Sequence, residues 1–193
     1  MAKTRTFIAV TASHDLRVRA LQAIDLLSSI QADIKWVAED ALHWTLQFLG
    51  DLDDDELAQV CRRVEGAVRE YVPFQLVAHG VGAFPSIARP RTLWLGAGKG
   101  GDALCRLQAA SEKALDDLGF RGERQPYVPH LTLGRLGRGR ADRQRLVERL
   151  TELAEFEGDC MLVDEVTVQA SYLKRSGPTY QVLARAPLVG ALG

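Results

Sequence analysis

Two short stretches decide the reading of this chain: Leu42-His43-Trp44-Thr45-Leu46-Gln47-Phe48-Leu49-Gly50 and Pro129-His130-Leu131-Thr132-Leu133-Gly134-Arg135-Leu136-Gly137. Both contain H-x-T-L, with a leucine six residues after the histidine and a glycine seven after. The chain has only four histidines in 193 residues, so a second copy of this pattern is an internal repeat rather than a coincidence of composition. Each stretch reads as a β-strand, in which residues two apart share a face. His43 therefore presents its imidazole beside the hydroxyl of Thr45, and His130 beside that of Thr132. Trp44 and Leu131 point the other way, into packing.

Working outward, an amphipathic helix follows each copy, marked by Leu57, Val60, Val64 and Val68 after the first and by Leu146, Leu150 and Leu153 after the second. The acids of 51–56 suit the positive end of the first of these helices. Further strands are expected at Thr6–Val10, Ile34–Val37, Phe74–Val81, Thr92–Leu95, Leu162–Val168 and Tyr180–Ala184, the last two around a turn at Ser176-Gly177-Pro178. Ser13 or Asp15 caps a helix carrying Leu16, Ala20, Ile24 and Leu27, and another helix covers Ala103–Leu118. Gly82 to Pro90, rich in turn formers, reads as a loop. Alternating helices and strands make this an α+β protein of two similar lobes. No Pro/Ser-rich linker separates the lobes, so residues 1–193 are expected to form one compact domain with a shared cleft, one H-x-T-L motif in each half.

If both His/Thr couples line that cleft, the arrangement suits phosphodiester hydrolysis. A neutral imidazole takes a proton from attacking water while an imidazolium gives one to the departing ribose oxygen. Each threonine hydroxyl can donate to a non-bridging phosphate oxygen, countering charge as it builds. Histidine fits both roles because its ordinary pKa lets a pair share one proton near neutral pH. The sequence holds no H-E-x-x-H, clustered His/Asp pair or Cys-based site, so no metal is expected.

The chain resembles the two-histidine (2H) phosphoesterase superfamily, and within it the RNA 2′,3′-cyclic 3′-phosphodiesterases, the LigT-like proteins once called 2′-5′ RNA ligases. The likeness runs from "RTFIAV" through "LHWTLQFLG", "GAFPSIARPRTLWLG" and "PYVPHLTLGRL" to "SYLKRSGPTYQVL". It implies a bilobal fold with antiparallel-type sheets around a central cleft, no cofactor, and hydrolysis of cyclic phosphate to a 2′-phosphomonoester. Carried onto this chain, it makes His43 the proton donor and His130 the proton acceptor, with Thr45 and Thr132 binding phosphate. Phe48 and Arg135 fall at positions the family associates with substrate binding. Simple alternation puts both on the faces opposite their histidines, and a bulge or strand end would be needed to turn them inward. Trp44 and Gly134 depart from the residues common at those positions; neither touches the proposed chemistry.

Other features carry less. "GAGKGG" at Gly96–Gly101 satisfies G-x-G-x-x-G, but the acids about twenty residues on lie at a helix end rather than after a second parallel strand, and Lys99 is followed by glycine. A flexible strand-to-helix loop is the better reading. His14 and His79 lack a partner motif and read as surface or capping residues. Cys61, Cys105 and Cys160 are far apart and read as reduced thiols, which points to a cytoplasmic protein.

Composition excludes some function classes. The 24 Lys and Arg nearly balance 25 Asp and Glu, so no global field draws a polyanion. Basic residues nevertheless cluster at Arg121, Arg124, Arg135, Arg138, Arg140, Arg143, Arg145 and Arg149, either as a solvated helix face with a basic loop or as an RNA-facing rim. No signal peptide and no membrane span are visible, and a monomer is the default. The expected substrate is an RNA with a 2′,3′-cyclic phosphate end or a small cyclic nucleotide. Ligation or cleavage of 2′-5′ linkages, and a noncatalytic RNA-binding module, are the alternatives.

Overall fold

A computed structural model describes residues 3–122, 125–174 and 177–191. Arg124 of the basic cluster and Ser176 of the last turn lie outside them. The elements run β1 (Thr4–Thr11), α1 (His14–Ser28), β2 (Ala32–Trp36), β3 (His43–Leu52), α2 (Asp54–Val68), β4 (Phe74–Ser86), β5 (Arg89–Ala97), α3 (Gly101–Leu115), β6 (His130–Ala141), α4 (Arg143–Glu152), β7 (Glu157–Val163), β8 (Glu165–Lys174) and β9 (Gly177–Pro187). The strands are paired antiparallel in the order β7-β4-β5-β6-β3-β1-β8-β9, with β2 added to β6. Each half of that order has four strands with a motif strand innermost, and, apart from β2, the units β1-α1-β2-β3-α2 and β5-α3-β6-α4 repeat the same sequence of elements. The fold is the expected α+β one, two similar halves built on a curled antiparallel sheet.

The two halves meet where Trp44 of β3 pairs with Leu131 of β6, and both side chains are fully buried. Burying side chains of this size contributes roughly 1.5–3 kcal/mol each, which holds the motif strands side by side. The helices of the first half start with matching caps. Ser13 accepts the Leu16 N–H at the start of α1, and Asp53 with Glu56 forms a capping box on α2.

Three local expectations need correction. The stretch expected as a loop at Gly82 to Pro90 is a long hairpin, in which β4 runs on to Ser86 and β5 begins at Arg89. Gly82 is there for space rather than for a turn, because a Cβ on it would sit 2.2 Å from the Trp94 ring across the hairpin. The single strand expected at Leu162–Val168 is two, β7 and β8, which pair with different partners: β7 with β4, β8 with β1 and β9. Finally, the glycine-rich loop after β5 is tied down rather than flexible. The Gly98 N–H donates to the Val77 carbonyl and the Val77 N–H to the Lys99 carbonyl. Gly100, at φ +90°, passes so close to the Gln75 carbonyl that a Cβ would lie 2.1 Å from it.

Candidate active site

The repeat in sequence is a repeat in burial. From His43 to Asp51 and from His130 to Arg138 the two strands show the same succession: half-buried His, buried, half-buried Thr, two buried residues, an exposed residue, a half-buried leucine, then two exposed positions. The two consecutive buried residues break simple alternation, and the sheet register shows why. Along β1, Ala9 faces Thr45 but its neighbour Ile8 faces Gln47, so Leu46 is an extra residue. Along β5, Trp94 faces Thr132 but Leu93 faces Gly134, so Leu133 is extra in the same way. These are equivalent β-bulges, each one residue past the motif threonine.

The bulges reverse the parity of the residues next after them, Phe48 and Arg135 included. Phe48 comes onto the His43 side, where Phe7 packs against both, with ring centroids 4.9 Å from His43 and 6.1 Å from Phe48. Arg135 comes onto the His130 side and lines the same cleft. Alternation alone places both residues wrongly, and the bulge is the device that turns them inward. Arg135 is fixed there by donating from Nη1 to the Thr92 hydroxyl at 2.9 Å.

Both imidazoles are anchored identically. His43 Nδ1–H donates to the Ala41 carbonyl and His130 Nδ1–H to the Val128 carbonyl, each at 2.7 Å and each two residues upstream. A carbonyl can only accept, so this contact sets the tautomer and assigns proton exchange to Nε2 in each ring. Continuing the antiparallel register from Trp44 and Leu131 sets His43 beside Thr132 and Thr45 beside His130. Each couple therefore comes together from both halves.

Aromatic packing differs between the two rings. His43 lies between Phe7 and the edge of Tyr180, whose centroid is 5.0 Å away. His130 meets Phe84 edge-on at 4.9 Å, and Phe84 in turn packs on Trp94. Burial among the rings holds the pKa of His43 below its ordinary value; the Ala41 carbonyl opposes this and the nearby His130 adds to it. Tyr180 is pushed up by burial and drawn back by Arg135 and Arg5, so its phenol stays neutral and sits near both guanidiniums.

The cleft has a volume of about 620 Å³, and its walls include Thr45, Phe48, His130 and Arg135. His43 and Thr132 are not in its lining; they sit next to it on the same two strands. Other walls come from residues that sequence reasoning does not single out: Phe84, Gln108, Glu112 and Tyr127. The Gln47 Oε1 and Tyr127 hydroxyl at its edge are buried without a hydrogen-bond partner among the described residues. Sequence reasoning also misses Phe7, Tyr180 and Phe84, which bracket the imidazoles. Phe7 and Tyr180 fall in stretches read as strands and Phe84 in one read as a loop, and neither reading brings them to the histidines, because ring-on-ring contacts join elements as far apart as β1 and β9. His79 is a surface residue, 3.7 Å from Glu155, and His14 is the first residue of α1, whose cap is Ser13.

The same fold occurs in known proteins. Residues 12–172 match the family model of the 2'-5' RNA ligase superfamily. The chain is 36% identical over 178 residues to an RNA 2′,3′-cyclic phosphodiesterase of Methanothermobacter thermautotrophicus, covering 92% of this chain and 95% of that protein. It is 30% identical to the Thermotoga maritima protein of the same name, covering 97% of each. In three dimensions it superimposes on a crystal structure from Thermus thermophilus with a TM-score of 0.79 at 26% identity, covering 96% of this chain and 98% of that one. Escherichia coli LigT complexed with 3′-AMP shares the fold, with a TM-score of 0.73 at 24% identity and coverage of 96% and 98%. The chain thus belongs to the 2'-5' RNA ligase superfamily of two-histidine phosphoesterases, in the family of the RNA 2′,3′-cyclic phosphodiesterases.

Proposed function

We propose that this protein hydrolyses RNA 2′,3′-cyclic phosphate ends to 2′-phosphomonoesters, with His43 and His130 as acid and base and no metal ion. The observation that carries the reading is the matched pair of Nδ1 anchors at 2.7 Å, which holds the two motif imidazoles in the same way on adjacent strands beside one cleft. In this scheme His130 Nε2 takes a proton from a water molecule as the oxygen attacks phosphorus. The bond from phosphorus to the ribose 3′ oxygen breaks, and His43 Nε2–H delivers its proton to that oxygen. The 2′ oxygen keeps the phosphate. Each proton transfer is worth roughly 10²- to 10⁴-fold in rate.

Thr45 and Thr132 donate their hydroxyls to the non-bridging oxygens, and Arg135, steered by Thr92, adds positive charge at the same edge. Phe48, 59% exposed in the cleft wall, offers a flat face on which a nucleobase can stack. An anionic phosphate beside His43 favours its charged form, offsetting the burial that holds its pKa down. The substrate thus helps to load the acid that cleaves it. The protein acts as a monomer in this scheme, because one chain carries both halves of the site.

The test is hydrolysis of a 2′,3′-cyclic nucleotide and of a short RNA ending in cyclic phosphate, with EDTA present, by the wild type, His43→Ala and His130→Ala. The expected result is a 2′-phosphate product, lost in both variants. A requirement for added metal, or turnover that survives both substitutions, refutes the mechanism. Turnover of 2′-5′-linked RNA in place of the cyclic ends would move the reaction to those linkages.

A further inference from the structure

The two halves repeat the same elements but not the same charge. Past the first motif, β3 runs into α2 through Asp51, Asp54 and Asp55, all exposed, and the first turn of α2 is acidic. At the equivalent place in the second half, β6 runs into α4 through Arg138, Arg140, Arg143 and Arg145, also all exposed. The first turn of α4 holds no acidic residue. Cations there oppose the positive end of the helix dipole, so local helix stability does not account for them. Among the described residues none of these four arginines has a carboxylate within ion-pairing distance, whereas Arg63, Arg149 and Arg185 do.

The arginines are also presented by a specific backbone device. Between β2 and β6 the register jumps: Ile34 pairs with Leu136 and Ala32 with Ala141, so one residue of β2, Asp33, spans four of β6. The four are Gly137-Arg138-Gly139-Arg140, and they wrap the Asp33 carboxylate, which accepts the Gly139 N–H at 2.8 Å. A Cβ on Gly137 or Gly139 would lie 2.1 Å or 2.7 Å from that carboxylate. The glycines thus let the strand close around Asp33 while the intervening arginines stay in solvent. This bulge lies on the strand that carries His130, Thr132 and Arg135, a few residues at about 3.3 Å each beyond Arg135.

We infer that the single-stranded RNA leading to the cyclic end lies over β6 and the start of α4, its phosphates meeting Arg138, Arg140, Arg143 and Arg145, and is turned away from β3 and α2 by the acids of that half. The inference rests on the cyclic-phosphate reading for what sits in the cleft. It gives the substrate a direction across a nearly two-fold site, and it makes an RNA chain a better substrate than a cyclic mononucleotide. A chain with a net charge of −1 achieves this by separating its charges rather than by being basic.

The experiment compares wild type with Arg138→Gln/Arg140→Gln/Arg143→Gln/Arg145→Gln and with Asp51→Asn/Asp54→Asn/Asp55→Asn. Hydrolysis is measured on a 2′,3′-cyclic mononucleotide and on an RNA of about twelve nucleotides ending in cyclic phosphate. Binding of the same RNA ending in 2′-phosphate is followed by fluorescence anisotropy over a range of salt. The arginine variant is expected to raise KM and Kd for the RNA about tenfold and to flatten the salt dependence by a slope of roughly 0.7 for each phosphate it no longer neutralises. Its kcat/KM on the mononucleotide is expected to stay within about twofold of wild type, which also shows that it folds; the aspartate variant binds RNA no more weakly than wild type. Unchanged RNA binding in the arginine variant, or equal weakening in the aspartate variant, overturns the inference. If the wild type turns over neither substrate, the cyclic-phosphate reading fails, and the anisotropy series still decides whether RNA follows this track.

Discussion

His43 and His130 are held by the same contact, Nδ1 to a carbonyl two residues upstream at 2.7 Å, yet they sit in different surroundings: His43 between Phe7 and Tyr180, His130 against Phe84 at the cleft wall. Symmetric anchoring in unlike aromatic surroundings is what the proposed division into acid and base requires of one ring type.

The first consequence is in the pH profile. Burial and the neighbouring His130 hold the pKa of His43 below 6.5, so in the free protein the imidazolium that the proposed mechanism uses as acid is lost as pH rises through a value under the ordinary imidazole range. The alkaline limb of kcat/KM is therefore expected below about pH 6.5. Bound phosphate favours the imidazolium, so the same limb in kcat should lie at higher pH. Tyr180→Ala opens the ring packing and should move the kcat/KM limb upward; an unmoved limb would show that burial there does not tune His43.

The threonines are testable as phosphate donors. Thr45→Val and Thr132→Val keep shape and remove one hydroxyl each. A hydrogen bond to a charged group contributes about 1.5–3 kcal/mol, so kcat/KM should fall roughly 10- to 100-fold in each variant. Thr→Ser at either site should recover most of that loss, which steady-state kinetics on a cyclic mononucleotide would reveal.

Arg135 depends on Thr92 for its place. Thr92→Val removes the acceptor of the 2.9 Å bond but leaves the guanidinium, and should raise KM a few-fold with little change in kcat. Arg135→Lys keeps charge but loses the planar donor fork, and should cost more than Thr92→Val. Equal kinetics for Arg135→Lys and wild type would remove Arg135 from the substrate-binding set.

Gly82→Ala tests packing rather than chemistry. The added Cβ falls 2.2 Å from the Trp94 ring inside the β4-β5 hairpin, an overpacking expected to cost about 1–3 kcal/mol. Thermal unfolding should shift down by several degrees. The shift should shrink in Gly82→Ala/Trp94→Leu, where the smaller side chain makes room.

Much of the site is legible in the order of residues. The two H-x-T-L stretches name the His/Thr couples, and period-two alternation puts Trp44 and Leu131 into the packing where the halves join. Helix stripes and caps, such as Ser13 on α1, are equally plain, because periodicity and capping are local properties written in neighbouring residues.

What tertiary structure decided lies in the registers between strands. Alternation sets Phe48 and Arg135 facing away from their histidines, and only pairing with β1 and β5 makes Leu46 and Leu133 extra residues that turn them back. The Gly82–Pro90 stretch looks like a loop because glycine and proline punctuate turns, yet here glycine clears space for Trp94 across the hairpin. The rings around His43 come from strands at opposite ends of the chain. Sequence alone singled out the repeated His/Thr couples as the candidates for proton transfer; a bulge, a ring contact or a charge facing a partner exists only between segments, so the direction in which the residues after them face was left to the folded sheet.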